Sequence, residues 1–147
     1  IETIQTHYNL CYREEEREMI PFCKDQKISV FAYNPVAKGF LTGKYQRNFE
    51  GQTTRYKSDP GFKPKFFKNQ DFDVLEKVIE IANEKDVKPV QIALAWFQNK
   101  DITLPIIGVT KKIHVEEVVE SLNVKLKTDD IKRLEESYKT QNVNHLD

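Results

Sequence analysis

The segment ISVFAYNPVAKGFLTGKY, residues 28–45, joins an apolar run to an irregular loop that contains two glycines. Residues 28–33 have the length and the β-branched and aromatic content of a strand. The residues that follow include Pro35, Gly39 and Gly43 together with Lys38 and Lys44, and they show neither a helical nor a strand period. This lack of a period continues to residue 70. A loop of that length inside a compact domain is either functional or disordered.

Strands and helices alternate on both sides of this segment. The predicted strands are 1–8, 28–33 and 103–109, and the predicted helices are 13–24, 71–84, 90–98, 113–122 and 128–138. Pro21 should bend the first helix or end its first part, and Asp71 is the predicted N-cap of the second. The alternation indicates parallel strands joined by crossovers. Because a closed barrel needs eight strands, the pattern indicates a piece of a larger α/β domain.

Composition and charge restrict the classes of function. The chain has 147 residues, of which 39% are hydrophobic and 31% charged, as expected for one globular domain. Basic and acidic residues both number 23, so no overall field would attract nucleic acid or an anionic membrane. The chain shows no membrane-spanning run and no signal-peptide pattern, which favours the cytoplasm. Cys11 and Cys23 are predicted to be buried free thiols.

Five blocks of sequence follow one another along the chain. They are IQTHYNL, YREEEREMIPFCK, YNPVAKGFLTGKY, PVQIALAWF and LPIIGVTKKIHVEE. Together they resemble the C-terminal part of the aldo-keto reductases, in particular the branch with aryl-alcohol dehydrogenase-like and potassium-channel β-subunit-like proteins. The family fold is a (β/α)8 barrel, so the resemblance implies an α/β fold in which residues 1–138 supply strands 6–8 and their helices. Residues 139–147 would form a loose, polar C-terminal tail.

The resemblance implies a nicotinamide dinucleotide cofactor, usually NADPH. Gln5 stands where the family hydrogen-bonds the nicotinamide carboxamide, and Tyr33 stands where an aromatic residue stacks on the nicotinamide ring. Asn34 stands where many relatives have serine, which keeps a polar contact. The residues Pro35, Val36, Ala37 and Lys38 would wrap the pyrophosphate largely through the backbone, and Lys44 and Tyr45 would reach its phosphates or the ribose. Arg55 falls near a family arginine that closes over the cofactor. The residues matched to the adenosine end are Gly108, Thr110, Lys111, His114 and Glu117. Val118 departs from the usual asparagine, which removes one adenine contact.

The loop after the third predicted strand is an anion site on physical grounds as well. The backbone N–H groups of residues 108–112 lie at the start of a helix, where the dipole and the unpaired donors favour an anion. Thr110 and Lys111 add a hydroxyl and a positive charge. In barrels of this kind a phosphate site commonly forms from the loops after strands 7 and 8.

The resemblance implies an NADPH-dependent oxidoreductase that reduces aldehydes or ketones, or oxidises aryl alcohols, with a small carbonyl or alcohol substrate. In the family, the proton-donating tyrosine and its lysine, aspartate and histidine partners come from strands 2–4 and their loops. None of the matched blocks belongs to that region, so no catalytic residue is predicted in this chain. The alternatives are a nucleotide-sensing regulatory module without turnover and an inactive truncated remnant. The outer strands would have open edges, which predicts association with the missing half of the barrel or self-association.

Some conspicuous side chains have a structural interpretation as well as a functional one. The glutamates of Glu14–Glu16 could form an acid/base cluster, but on a charged helix they are predicted to form a solvated face that pairs with Arg13 and Arg17. Trp96 lies on an almost wholly apolar helix and is predicted to be a core residue.

His7 and Tyr8 suggest a proton relay at the end of the first strand, but such a pair has low specificity. Phe62, Phe66 and Phe67 could line an aromatic pocket, and we favour the interpretation that they attach the long loop to the barrel. The sequence therefore predicts a cofactor site in two strand-exit loops and leaves the substrate open.

Overall fold

Three parallel strands form one sheet in the part of the chain that the structure describes. The computed structural model describes residues 1–47, 66–101 and 103–141. The strands are β1 (Thr3–His7), β2 (Ser29–Tyr33) and β3 (Thr103–Pro105), and β2 lies between the other two. Both neighbouring pairs are parallel. Each connection therefore crosses over the sheet through helices, as the alternation of strands and helices predicted.

The helices follow the predicted order. The described α-helices are α1 (Met19–Asp25), α2 (Asn69–Glu84), α3 (Pro89–Ala95), α4 (Lys112–Ser121) and α5 (Thr128–Glu135), and 3₁₀ turns occur at Glu14–Glu16, Ala37–Thr42 and Trp96–Asn99. The helices predicted at 71–84, 90–98, 113–122 and 128–138 are confirmed with small shifts at their ends. Within the described ranges, no helix combines the length and the apolar character that crossing a membrane requires.

The single helix predicted at 13–24 is wrong. A 3₁₀ turn at Glu14–Glu16 is followed by a separate helix, α1, because Glu18, with φ −138° and ψ −52°, lies outside the helical region and interrupts the helical backbone. Pro21 lies in the first turn of α1, where its missing N–H breaks no intrahelical hydrogen bond. Pro21 therefore lies near the beginning of a helix and does not end one.

The third strand is shorter than the predicted 103–109. It ends at Pro105, which has no N–H to donate to the ladder. One further bond joins the Ile106 N–H to the Ala32 carbonyl oxygen at 2.8 Å, and the chain then leaves the sheet. The residues after this point are therefore free to form a loop at the carboxyl end of the sheet.

The two faces of the sheet have different surroundings. On one face Val30 and Thr103 are buried and lie opposite each other. On the other face Gln5, Phe31 and Leu104 are in register across the three strands, and Leu104 is 55% exposed. Among the described residues, the helices cover one face of the sheet, the other face is open at Leu104, and β1 and β3 are the edge strands. This arrangement is the predicted α/β fold, a portion of a (β/α)8 barrel.

The hydrophobic core lies between the covered face of the sheet and the helices. Leu75 of α2 and Trp96 are among its largest fully buried side chains, so the prediction for Trp96 is confirmed. Phe66 is also fully buried, and Phe67 packs on the core ring of Phe40 with a centroid distance of 5.5 Å. The two phenylalanines thus attach the end of the long loop to the core, as favoured. The third member of that prediction, at position 62, lies outside the described residues.

Asp71 caps α2 from inside the first turn, because the N-cap itself is Lys68 and not Asp71 as predicted. The Asp71 carboxylate accepts a hydrogen bond from the Lys68 N–H at 3.1 Å. Burial raises the pKa of the Asp71 carboxyl to about 6, against the opposing effect of that hydrogen bond. The folded chain therefore holds the proton more tightly than the unfolded chain does. The stabilising contribution of the protonated Asp71 carboxyl is lost as the pH rises from about 4 to about 6.

Glu14, predicted to belong to a solvated face, is instead buried and anchors the end of the described chain. It accepts hydrogen bonds from the Tyr138 hydroxyl at 2.6 Å and from the Gln141 N–H at 2.7 Å. Arg17 pairs with Glu14 at 3.2 Å, as the charge pattern predicted. Burial alone would raise the pKa of Glu14, but the hydrogen bonds from Tyr138, Gln141 and Arg17 hold it below its ordinary value. The polar stretch after Tyr138, predicted to be loose, is thus held in place at Gln141.

Candidate functional site

A cleft of about 850 Å³ lies at the carboxyl ends of β2 and β3. Its walls are the loop after β2, the loop after β3 and the first turns of α3 and α4. The lining residues are Asn34, Pro35, Val36, Lys38, Gly39, Thr42, Lys44, Tyr45, Lys88, Pro89, Val90, Ile106, Ile107, Gly108, Val109, Thr110, Lys111, His114, Glu117 and Val118. Cavities of roughly 300–1,000 Å³ are typical of sites for cofactors and small molecules.

Most of the predicted cofactor residues meet in this cleft. They are Asn34, Pro35, Val36, Lys38, Lys44, Tyr45, Gly108, Thr110, Lys111, His114 and Glu117. Gln5 and Tyr33 lie off the cleft, at the carboxyl end of β1 and β2, where Gln5 is exposed and Tyr33 is half-buried. Ala37 is fully buried in the core, so its side chain cannot reach the cleft. Arg55 lies outside the described residues.

Asn34 organises the loop after β2. Its backbone is left-handed, with a φ of 61°, a conformation that asparagine adopts more readily than other residues with a side chain. The Asn34 Oδ1 atom accepts the Lys38 N–H, and its carbonyl oxygen accepts the Ala37 N–H at 3.0 Å. Ala37 and Lys38 are also left-handed, at 50° and 54°. Non-glycine residues in this conformation store strain, which is concentrated at functional sites.

The two glycines of this loop allow its tight path. Gly39 and Gly43 have φ values of +90° and +80°. A Cβ atom on Gly43 would come within 2.9 Å of the Cγ atom of Pro89. Gly43 therefore also allows the loop to approach the first turn of α3, which forms the opposite wall of the cleft.

The backbone of residues 35–38 has little remaining capacity to bind an anion. Pro35 has no N–H, and the Ala37 and Lys38 N–H groups are bonded to Asn34. The Val36 N–H is the remaining donor of these four residues. The expected backbone wrap around a pyrophosphate is thus limited, and the Lys38 side chain, which lines the cleft, is better placed to supply positive charge.

The cleft is rich in positive charge. Among its described lining residues are the lysines Lys38, Lys44, Lys88 and Lys111, and one carboxylate, that of Glu117. The first turn of α4 follows directly after Lys111, so the positive end of the helix dipole adds to the positive potential. The electrostatics of the cleft therefore favour a ligand with several negative charges.

Lys88 lines the cleft as well, although it is not among the predicted site residues. It is the N-cap of α3, and its Nζ atom lies 2.7 Å from the Glu117 Oε1 atom of α4. The only signal in the sequence was its position immediately before the PVQIALAWF block. The pair with Glu117 depends on the packing of α3 against α4, which the sequence does not display.

His7 and Tyr8 do not form a proton relay. The Tyr8 hydroxyl donates a hydrogen bond to Glu16, and its ring packs on Trp96 at a centroid distance of 5.1 Å. The His7 ring instead stacks on Tyr33 at 5.2 Å. Burial, and then the charge of Glu16, raise the pKa of Tyr8 well above its ordinary value, so Tyr8 is a poor proton donor. No group of three or more acidic, histidine or cysteine side chains in the described ranges is arranged to hold a metal ion.

The fold and the cleft define an α/β protein whose candidate ligand site lies at the carboxyl ends of parallel strands. The model of the aldo/keto reductase family matches residues 1–139 of the chain. The chain belongs to the aldo/keto reductase family, as its sequence blocks indicated.

Two curated relatives and one solved structure illustrate the similarity. The chain is 37% identical over 140 residues to the protein named "Putative aryl-alcohol dehydrogenase AAD16" of Saccharomyces cerevisiae, covering 93% of this chain and 40% of that protein. It is 34% identical over 139 residues to the versiconal hemiacetal acetate reductase of Aspergillus parasiticus, covering 92% of this chain and 40% of that protein. The glycerol dehydrogenase of Gluconobacter oxydans superposes with a TM-score of 0.75 at 22% identity, over 99% of this chain and 46% of that one. The chain thus spans about 40% of the length of these curated relatives.

Proposed function

We propose that the cleft binds NADPH and that this chain supplies the cofactor-holding part of an oxidoreductase. The reaction would reduce aldehydes or ketones, or oxidise aryl alcohols, by hydride transfer. The observation that carries the proposal is that two strand-exit loops bring three lysines, Lys38, Lys44 and Lys111, and a helix N-terminus to one cleft in an aldo/keto reductase chain. Relatives named as an aryl-alcohol dehydrogenase and a hemiacetal acetate reductase support alcohol and carbonyl substrates.

The residues of the cleft fit the two ends of the cofactor differently. Lys38 and Lys44 lie on the loop after β2 and would neutralise the pyrophosphate. Lys111 and the first turn of α4 would bind the 2′-phosphate, which distinguishes NADPH from NADH. Glu117, held by Lys88, would accept a hydrogen bond from the adenine amino group. When bound, the nicotinamide supplies the hydride for the reaction.

The proton donor and the rest of the barrel would come from outside this chain. Tyr8 is unsuited to donate a proton, and the open sheet face exposes 55% of Leu104 to solvent. We propose that further barrel strands, or a second copy of this chain, cover that face and the edges of β1 and β3. Cys11 and Cys23 are buried and free, as predicted, which fits a reducing compartment, and we propose the cytoplasm.

Cofactor titration tests the proposal. We expect the nicotinamide fluorescence to be quenched or shifted when the cofactor binds. We also expect NADPH to bind more tightly than NADH. Replacing Lys111 by methionine should weaken NADPH binding about tenfold, equivalent to about 1.4 kcal/mol, and leave NADH binding nearly unchanged. Lys112→Met is the matched control, because Lys112 is 92% exposed and does not line the cleft. A folded chain that binds no NADPH at millimolar concentration would refute the proposal.

A further inference from the structure

The His7 ring is buried and packed against other rings at the carboxyl end of β1. Only 5% of His7 is exposed, and the residue lies directly opposite Tyr33 in the register of β1 and β2. Its ring stacks on Tyr33 with a centroid distance of 5.2 Å and an interplanar angle of 24°. It also stacks on Tyr12 at 4.6 Å and 11°. The His7 ring is thus in stacked contact with both tyrosines, one of which is Tyr33.

The same ring is a hydrogen-bond acceptor for two asparagines. The Nδ2 atoms of Asn9 and Asn34 lie 3.1 Å and 3.2 Å from the His7 Nε2 atom. Both amides have a defined orientation, because Asn9 Oδ1 accepts the Cys11 N–H at 2.9 Å and Asn34 Oδ1 accepts the Lys38 N–H. The two Nδ2 groups can only donate, so they share the single lone pair of the His7 Nε2 atom as their acceptor.

His7 therefore connects two parts of the proposed cofactor site. Through the stack it supports Tyr33, and through Asn34 it holds the strained turn that carries Lys38 into the cleft. Gln5 lies two residues earlier on the same face of β1. The nicotinamide end of the site, at Gln5 and Tyr33, and the phosphate end, at Lys38, thus meet at one buried side chain.

We propose that His7 is a positioning residue that sets the Tyr33 ring as a platform for the nicotinamide and couples this platform to the phosphate-binding loop. The inference rests on the proposed NADPH binding. Two substitutions separate the two tasks. His7→Gln keeps a hydrogen-bond acceptor and loses the flat ring, whereas His7→Phe keeps the flat ring and loses the acceptor for Asn9 and Asn34.

The experiment compares NADPH with 2′-phospho-ADP-ribose, which has the same phosphates and lacks the nicotinamide ring. We expect His7→Gln to weaken the binding of NADPH about tenfold and to change the affinity for 2′-phospho-ADP-ribose by less than twofold, because the stacking on Tyr33 is lost and the loop after β2 is kept. We expect His7→Phe to weaken both ligands to a similar extent, because Asn34 is no longer held. Calorimetric titration measures both ligands, and far-UV melting curves verify that each variant is folded.

A second variant keeps the test decisive if His7→Gln does not fold. Tyr12→Leu removes the second ring that stacks on His7. It should also weaken the binding of NADPH selectively, by a smaller factor. Equal weakening of both ligands by His7→Gln and by Tyr12→Leu, or no weakening at all, would overturn the role of His7. If the unmodified chain binds neither ligand, the proposed function fails, and this outcome is distinct from failure of the inference about His7.

Discussion

Replacing Glu135 by alanine removes a carboxylate at which three donors from two separate parts of the chain meet. The indole Nε1 of Trp96 donates to it at 2.7 Å, the Lys100 Nζ at 2.8 Å and the Arg13 Nη2 at 3.1 Å. The side chains of Glu135, Lys100 and Arg13 are only 23%, 20% and 11% exposed. The carboxylate at the end of α5 therefore joins the loop after β1 to the end of the buried α3 segment.

The expected loss follows from what the substitution leaves behind. Removing one partner of a buried ion pair typically costs about 3–5 kcal/mol, and a buried donor without an acceptor costs about 1–3 kcal/mol. Glu16 accepts from both Arg13 and Lys100, which reduces the loss. We therefore expect the free energy of unfolding to fall by about 3 kcal/mol in Glu135→Ala. Glu135→Gln keeps an acceptor for Trp96, and it should lose about half as much.

Urea unfolding at neutral pH, followed by tryptophan fluorescence, measures both variants directly on Trp96. The matched control is Glu136→Ala, because Glu136 is the exposed neighbour on the same helix and should change stability by less than about 0.5 kcal/mol. A loss in Glu135→Ala no larger than that in the control would refute the reasoning that this carboxylate holds the network together.

Two further substitutions test the loop after β2 and the buried carboxyl of α2. Gly43→Ala should lower the free energy of unfolding by about 2 kcal/mol, because its Cβ atom would meet Pro89 at 2.9 Å. Gly39→Ala, whose Cβ atom would meet no atom within 4 Å, should lower it by only about 1 kcal/mol. Thermal or urea unfolding measures both variants, and equal losses would contradict the close approach of Gly43 to Pro89. Asp71→Asn should abolish a loss of about 3 kcal/mol that the unmodified chain suffers between pH 4 and pH 7, because the pKa of about 6 lies two units above the ordinary value. If the free energies of unfolding of the two proteins changed with pH in parallel, this result would show that Asp71 does not titrate in this range.

The periodic parts of the sequence predicted the structure well. The helix at 71–84 has its apolar residues on one face, and Leu75 and Val78 of that face are fully buried. The almost wholly apolar segment around Trp96 is buried as well. Such patterns are local, because a helix or strand with one apolar face must bury that face whatever covers it.

The prediction failed where a residue's partner is distant along the chain. Glu14 looked like part of a charged, solvated helix, but its partners Tyr138 and Gln141 are separated from it by 124 and 127 positions. Pro21 was expected to bend or end a helix, and it lies instead in the first turn of one. Charge and helix propensity alone cannot distinguish an exposed glutamate from one that binds the far end of the chain.

The candidate site shows the same division between features that local sequence patterns predict and features that depend on distant contacts. Sequence blocks alone identified most of the residues that line the cleft. Packing of α3 on α4 brought Lys88 to Glu117, and pairing of β1 with β2 placed His7 beneath Tyr33.

The sequence by itself therefore determined the order of strands and helices, the loops that form the cleft and the family of the chain, since these are encoded in local patterns and in matched blocks. Only the tertiary structure decided which charges are buried and which side chain supports the aromatic platform. The physical reason is that burial and stacking depend on contacts between segments distant in sequence, and these exist only once the sheet and its helices are packed.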